Sequence, residues 1–248
     1  MLNQNVLTAF SDPKSIASEA YRVLRTNLQF SSFDKQIKTI VVTSSTPGEG
    51  KTTTIANLAI TIAQSGAKVL LVDTDLRKPR IHNLFGLNNS KGITTLLAQH
   101  GELKDYIERV SVNNLDILKS GPIPPNPSEL LGSNAMKNFI QKAKEDYDII
   151  LLDSAPVGAV TDAAVLSAIL DGVIFVINSG KVDSEVVKRA KESLENVKAN
   201  ILGVVLNNIT KQNQGGYYHY QYYGEEQTEE ASKNKKVKKK KEKEVSKC

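Results

Sequence analysis

Six short apolar runs, separated by longer segments of mixed polarity, constrain the fold of this chain more than any other feature. Most of their residues are β-branched or Leu, and both faces of each run are apolar, as in parallel strands covered by helices on both sides. The sequence therefore predicts a mostly parallel sheet. The runs are Lys38 to Thr43, Lys68 to Asp73, Leu115 to Leu118, Asp148 to Asp153, Gly172 to Asn178 and Ile201 to Asn207.

Helical spacing between the first two runs predicts a strand–helix–strand unit. Ile55, Leu58 and Ile62 recur at positions on one helix face, and further apolar residues fill the same face. Repeated along the chain, this unit predicts the α/β class with a doubly wound, mostly parallel sheet. We expect residues 1–212 to form that domain. Residues 213–248 are expected to form a flexible, disordered tail, Tyr-rich and then Lys-rich.

The net charge of +5 over 248 residues is concentrated at one end of the chain. Residues 232–248 hold nine Lys and two Glu, a net charge of +7, which leaves −2 for the rest. Composition therefore gives no sign of a basic, nucleic-acid-binding face, and no nucleic acid partner is expected. The Lys-rich end is compatible either with attraction to anionic lipid or with a solubilising role.

A single cysteine, Cys248, excludes an internal disulfide framework and a CxxC metal or iron–sulfur site within one chain. The apolar runs are far shorter than the roughly 20 residues that span a bilayer, and the start of the chain does not resemble a secretion signal. A cytoplasmic location is expected.

A glycine-containing loop follows the first run and precedes the first predicted helix. Its backbone amides, the helix N-terminus, a Lys and a Thr hydroxyl are the groups that bind phosphate and Mg²⁺ in a P-loop. The strict P-loop pattern has Gly six residues before the Lys, where this chain has Ser45. The residues expected to bind nucleotide are Pro47, Gly48, Glu49, Gly50, Lys51, Thr52 and Thr53.

Carboxylates end two other runs of the predicted sheet. Asp73 and Asp75 lie in VDTDLRKPR, beside Arg77, Lys78 and Arg80, and Asp153 ends IILLD. In open α/β sheets, ligands bind at the carboxyl ends of the strands. We therefore expect these carboxylates and the phosphate loop to meet at one edge.

The motifs SSTPGEGKT, VDTDLRKP and LLDSAP together resemble the Walker A, A′ and B motifs of the bacterial protein-tyrosine autokinases. GPIPPNPSELL and EAYRVLRTN also resemble segments of that family, in particular of its cytoplasmic CpsD and CapB type. The resemblance covers about residues 15–207. It implies a P-loop NTPase of the MinD and ParA class, with ATP and Mg²⁺ as cofactors and a role in capsule or exopolysaccharide synthesis.

Two related functions differ from a kinase in their motifs. A switch ATPase of the MinD and ParA type usually carries a second, signature Lys five residues before the P-loop Lys, where this chain has Thr46 followed by Pro47. An iron–sulfur carrier of similar fold needs cysteines that this chain lacks.

The resemblance and the chemistry of phosphoryl transfer assign a role to each motif. Lys51 is expected on the β- and γ-phosphates, Thr52 on Mg²⁺, and Asp75 and Asp153 in direct or water-mediated contact with Mg²⁺. Asp73 is the expected base, although the two-residue spacing would let Asp75 serve instead. Asn207 is expected near adenine, and Arg77 and Lys78 are expected to neutralise charge.

A tyrosine cluster near the end of the chain supplies candidate phosphate acceptors. It is flanked by Gly215, Gly216 and Gly224, whose flexibility suits a substrate with several sites. The expected phosphoacceptors are Tyr217, Tyr218, Tyr220, Tyr222 and Tyr223.

A predicted helix at about residues 15–30 carries Ile16, Ala20, Val23, Leu24 and Leu28 on one arc, with Glu19, Arg22 and Arg25 opposite. Spacing alone favours a solvated face. The resemblance instead implies that the ExxRxxR pattern lies at the contacts of a homo-oligomeric ring that phosphorylates in trans. It also implies a membrane adaptor of the polysaccharide co-polymerase type that recruits the chain to the inner face of the membrane, a cognate tyrosine phosphatase and other protein substrates.

Overall fold

The computed structural model describes residues 6–31 and 37–209. Within them, an α/β sheet carries helices on both faces, as predicted. The helices are α1 (Thr8–Ser11), α2 (Ile16–Ser31), α3 (Lys51–Gln64), α4 (Ile81–Phe85), α5 (Ile93–Gln99), α6 (Pro127–Leu131), α7 (Asn134–Asp146), α8 (Asp162–Ser167) and α9 (Ser184–Asn196). The strands are β1 (Thr39–Ser44), β2 (Val69–Asp73), β3 (Ile107–Arg109), β4 (Leu115–Leu118), β5 (Ile149–Asp153), β6 (Gly172–Asn178) and β7 (Ile201–Asn207).

The seven strands lie in the order β3-β4-β2-β5-β1-β6-β7. All six predicted strands are present and run parallel to one another, within one residue of the expected ends. β3 was not predicted because three residues are too few to show a period. It pairs antiparallel with β4 and closes one edge.

Alternating side chains of the strands enter two separate cores, which is why the runs are apolar on both faces. Ile40 and Val42 belong to the core that α1, α3 and α4 cover, whereas Val41 belongs to the core that α5, α7, α8 and α9 cover. β7 departs from the prediction because it is an edge strand. Val204 and Leu206 are 54% and 55% exposed.

α2 forms where predicted, but a different face is buried. Ile16 and Val23, expected inside, are 90% and 52% exposed. The inward face is set by polar contacts: Ser18 donates to the carbonyls of Thr8 and Asp12 at 3.1 and 2.7 Å. The buried face is therefore turned away from Ile16 and Val23, while Leu24 and Leu28 of the same arc still pack against the core.

Among the described residues, no helix combines the length and apolarity needed to cross a membrane.

Candidate functional site

The phosphate loop joins β1 to α3, and two of its glycines hold it in shape. Gly48 and Gly50 have φ values of +83° and +93°, in the left-handed region that glycine adopts without strain. A Cβ at Gly50 would lie 2.0 Å from Asn207 Nδ2, so no larger residue fits there. The free amides at the start of α3, which is 14 residues long, face the loop as they do in phosphate sites.

A cleft of about 460 Å³ opens beside this loop. It brings together residues that lie far apart in the sequence, from the loop, the segment after β2 and the segment after β5. Its polar lining is Gly48, Gly50, Lys51, Thr52, Thr53, Asp75, Arg77, Lys78 and Arg80, and Pro47 also lines it. Lys51 is only 7% exposed. A larger cleft of about 670 Å³, between α5 and α7, includes none of these residues.

Asp73 and Asp153 lie side by side because β2 and β5 pair in parallel with these two residues in register. Both are fully buried. Asp73 Oδ2 accepts hydrogen bonds from the amides of Arg80 and Ile81, each at 3.0 Å, which caps the start of α4. Asp73 Oδ1 and both carboxylate oxygens of Asp153 have no hydrogen-bond partner within the described part of the chain.

Burial sets the protonation of these carboxyl groups. Desolvation raises the pKa of Asp153 to about 7, and the charge of Asp75 adds to the rise, while the Lys51 ammonium opposes it. The Thr52 hydroxyl lies near enough to lower this pKa but makes no regular hydrogen bond. Desolvation, and then the charge of Asp153, raise the pKa of Asp73 well above its usual range.

The donor set fits a hard divalent cation. Asp153 presents two buried, unpartnered oxygens, and Asp75 uses Oδ1 to accept from the Lys78 amide at 3.0 Å. The described residues contain no cluster of three or more His, Cys, Asp or Glu side chains that could bind a metal. Mg²⁺ does not need one, because it is usually bound by one or two carboxylates together with substrate phosphates and water.

Arg77, expected to neutralise charge, lines the cleft and is paired with a buried carboxylate. Its guanidinium makes a two-pronged pair with Asp162, at 2.9 and 3.0 Å, and also reaches the Ser128 hydroxyl at 3.2 Å. Asp162 is buried and stabilises the charged form of Arg77, whose pKa is raised mainly by this hydrogen bond. Asp162 and Ser128 were not predicted from the sequence, although both are polar residues beside largely apolar stretches.

Glu49 was expected to bind nucleotide, but its side chain points away from the cleft. It is 1% exposed and is not part of the lining. Asn207, expected near adenine, lies against the loop, where Nδ2 donates to the Glu49 carbonyl at 3.0 Å. The neighbouring Asn208 donates from Nδ2 to Asn178 Oδ1 at 3.2 Å.

The expected oligomer contacts lie on α2 rather than in the cleft, and only two of them are on its outer surface. Arg22 pairs with Glu19 at 2.6 Å. Arg25, expected on the solvated side, turns inward and donates to the Thr61 carbonyl on α3 at 3.2 Å, because the buried face of α2 is rotated. The expected acceptors at Tyr217, Tyr218, Tyr220, Tyr222 and Tyr223 lie outside the described residues.

Comparison with known proteins agrees with this geometry. Residues 35–242 match the ParA family, described as NUBPL iron-transfer P-loop NTPase. Members of that class bind nucleotide, generally with a divalent metal. Tyrosine-protein kinase YwqD of Bacillus subtilis is 45% identical over 218 residues, which cover 87% of this chain and 92% of YwqD.

Solved structures of tyrosine kinases are similar to this chain as well. The crystal structure of the chimerical protein CapA2B2 matches with a TM-score of 0.81 and 41% identity, covering 85% of this chain and 93% of that one. The kinase domain of Escherichia coli tyrosine kinase ETK matches with a TM-score of 0.80 and 35% identity, covering 88% and 84%. These matches favour a kinase over a switch ATPase. The chain therefore belongs to the bacterial tyrosine-protein kinases, which are built on the ParA type of P-loop NTPase fold.

Proposed function

We propose that this kinase transfers the γ-phosphoryl group of ATP, with Mg²⁺, to the C-terminal tyrosine cluster of a neighbouring copy, and so regulates capsular or exopolysaccharide synthesis. The observation that carries the proposal is the convergence of Lys51, Asp75 and the unpartnered Asp153 oxygens beside one cleft. The proposal treats residues 1–212 as the kinase domain and residues 213–248 as the acceptor tail.

Each residue of the site has a task that its position supports. Lys51 and the loop amides bind the β- and γ-phosphates, while Thr52, Asp75 and Asp153 hold Mg²⁺. When bound, Mg²⁺ neutralises phosphate charge during transfer. Lys78 and Arg80, which line the cleft, contribute further positive charge. Asn207, whose Nδ2 donates to the Glu49 carbonyl of the loop, is assigned to adenine.

Asp73 is assigned as the base that accepts the tyrosine proton. A phenol of pKa about 10 is a weak nucleophile until its proton is removed, and a carboxylate with a raised pKa is the stronger acceptor. Asp73 Oδ1 has no partner among the described residues and can take the proton. Asp75 is the alternative base, since it lines the cleft directly.

The partners proposed for this kinase follow its family. They are a homo-oligomeric ring formed through α2, a membrane adaptor of the polysaccharide co-polymerase type, a cognate tyrosine phosphatase and other protein substrates. The structural relative CapA2B2 is a chimerical protein, which supports a second component that acts with the kinase. Recruitment of a cytoplasmic chain to the inner face of the membrane would depend on that adaptor.

Intact-mass analysis after incubation with ATP and Mg²⁺ tests the acceptor. The wild type should gain several phosphates, and a variant with Phe at all five cluster positions should gain almost none while still binding nucleotide. Lys51→Met should bind ATP poorly and gain no phosphate, with an unchanged circular dichroism spectrum. Several phosphates on the five-Phe variant would contradict the proposal.

The tyrosines of the described fold are expected to be poor acceptors, so that phosphate gained in this test reports on the tail cluster. Tyr147 is 4% exposed and donates its hydroxyl to Asp116 at 2.7 Å, and burial raises the pKa of Tyr21. Tyr106 donates to Gln99 at 2.8 Å. We therefore expect little phosphate at these three sites. ATP hydrolysis stimulated by lipid or DNA, without any phosphotyrosine, would support the switch ATPase instead.

A further inference from the structure

A buried carboxylate at the root of the phosphate loop takes no part in the mechanism above. Glu49 Oε1 accepts hydrogen bonds from the hydroxyls of Ser45 and Thr46, at 2.6 and 3.0 Å, and from the Thr46 amide. These donors lie in the first half of the loop. Glu49 therefore closes the loop on itself by a contact that its backbone alone does not make.

The other carboxylate oxygen connects the loop to the sheet. Glu49 Oε2 accepts from the Asn178 amide at the end of β6, at 3.0 Å. The backbone carbonyl of Glu49 accepts from Asn207 at the end of β7. One residue thus ties the phosphate loop to the ends of two strands that enter the sheet much later in the chain.

This arrangement also accounts for the departure from the strict P-loop pattern. Ser45 occupies the position of the usual first glycine, and its hydroxyl is one of the donors to Glu49. A buried negative charge beside a phosphate site opposes phosphate binding electrostatically. The groups that donate to the Glu49 carboxylate all lie on the side of the loop away from the cleft. The carboxylate therefore holds the loop in shape without facing the ligand.

We propose that Glu49 is a positioning residue, paired with Ser45, that fixes the phosphate loop in its binding shape and so sets the affinity for nucleotide. It acts through the loop amides and Lys51, and not on the transferred group. The inference rests on the proposed use of this loop for ATP. It predicts a change in nucleotide affinity with little change in the rate of transfer at saturating ATP.

The test compares Glu49→Gln with the wild type. The amide keeps the shape but places an NH₂ group against one of the donors. We expect the ADP dissociation constant and the KM for ATP to rise about 10- to 100-fold, as for loss of hydrogen bonds to a buried charge. The kcat should stay within about threefold. Glu192→Gln, on the exposed surface of α9, is the matched control and should change neither constant.

Ser45→Ala provides a second, milder variant that removes one hydroxyl and keeps the carboxylate. It should weaken ADP binding several-fold, and the double variant should bind no more weakly than Glu49→Gln alone, because the two residues act as one unit. Unchanged ADP binding in both variants, or a loss of kcat at unchanged KM, would overturn the inference. Because ADP binding needs no acceptor, those results would leave the tyrosine-transfer proposal standing. A wild type that binds ADP but forms no phosphotyrosine would refute only the tyrosine-transfer proposal.

Discussion

Asp153 shows how a binding site opposes the stability of its own fold. Its carboxyl group is buried without a hydrogen-bond partner among the described residues, and burial raises its pKa to about 7. In the unfolded chain the same group has a pKa near 4. The folded, nucleotide-free protein therefore holds a proton that the unfolded chain has lost between about pH 4 and pH 7, and stability falls as the pH rises through that window.

Asp153→Asn should accordingly stabilise the nucleotide-free protein while abolishing activity. The gain is expected to be on the order of a few kcal/mol at pH 8 and smaller at pH 5, because the neutral amide does not become charged. Urea unfolding at both pH values measures the effect. Asp105→Asn, at an exposed position, is the control. Equal stability of Asp153→Asn and wild type at pH 8 would disprove this account.

The sequence identified the charged residues that converge at the cleft better than the residues that hold them in place. Lys51, Asp75 and Asp153 are recognisable because their chemistry is tied to a fixed spacing after a strand. Spacing puts Glu49 in the loop but does not say which way its side chain points. The partner of Arg77 could not be found either, because Asp162 lies 85 residues away.

At the scale of single elements, buried strands were predictable and surface faces were not. An apolar run buried on both sides has one interpretation, so six strands were identified from sequence. α2 had an apolar arc, yet hydrogen bonds from Ser18 and the inward turn of Arg25 selected another face. Polar contacts of this kind leave no periodic trace in the sequence.

Asp171 lies where β1 and β6 begin, at the opposite end of the strands from the cleft. Its carboxylate connects these two strands to α7. Its carboxylate accepts from the amides of Lys38 and Thr39 at the start of β1, and pairs with Lys144 of α7 at 2.9 Å. Partial burial alone would raise its pKa. The hydrogen bonds from Lys144, Thr39 and Lys38 outweigh burial and lower it.

Asp171→Asn should destabilise the fold by about 1 kcal/mol at pH 7, a modest value because the side chain is partly exposed. A lowered folded-state pKa means that this stabilisation is present above about pH 4 and is lost as the pH falls further. The difference from wild type should therefore shrink towards pH 3. Thermal melts across this range measure it, and a constant difference at every pH would contradict the assignment.

At the scale of the whole molecule, the outer face of α2 is the surface proposed for assembly. Ile16, Val23 and Phe30 recur every seven residues and are 90%, 52% and 67% exposed, beside the Glu19–Arg22 pair. An exposed apolar stripe with a charged border is typical of a protein contact. Arg25 is excluded from the test because it supports the contact between α2 and α3.

Arg22→Glu should convert the assembled protein to a monomer while leaving nucleotide binding intact. Arg189→Glu on α9 should leave the protein assembled.

Lys51→Met should elute as a larger species than the phosphorylated wild type. Each phosphotyrosine adds about −1.5 to −2 charges, and these would be repelled by the Asp75 carboxylate that lines the cleft. Multi-angle light scattering distinguishes the species, and a monomeric wild type before phosphorylation would exclude the ring.

Asn207 lies against the phosphate loop, so the tail that follows it starts close to the site of its own copy. This affects how transfer between copies can be distinguished from transfer within one copy. Tyr217 follows Asn207 by ten residues, which span at most about 35 Å when extended. A segment tethered so near a site has an effective concentration in the millimolar range, whatever the dilution of the protein. A phosphorylation rate that falls on dilution would therefore mean that each tail is sterically barred from its own site. The dilution curve then measures that exclusion as well as the affinity between copies.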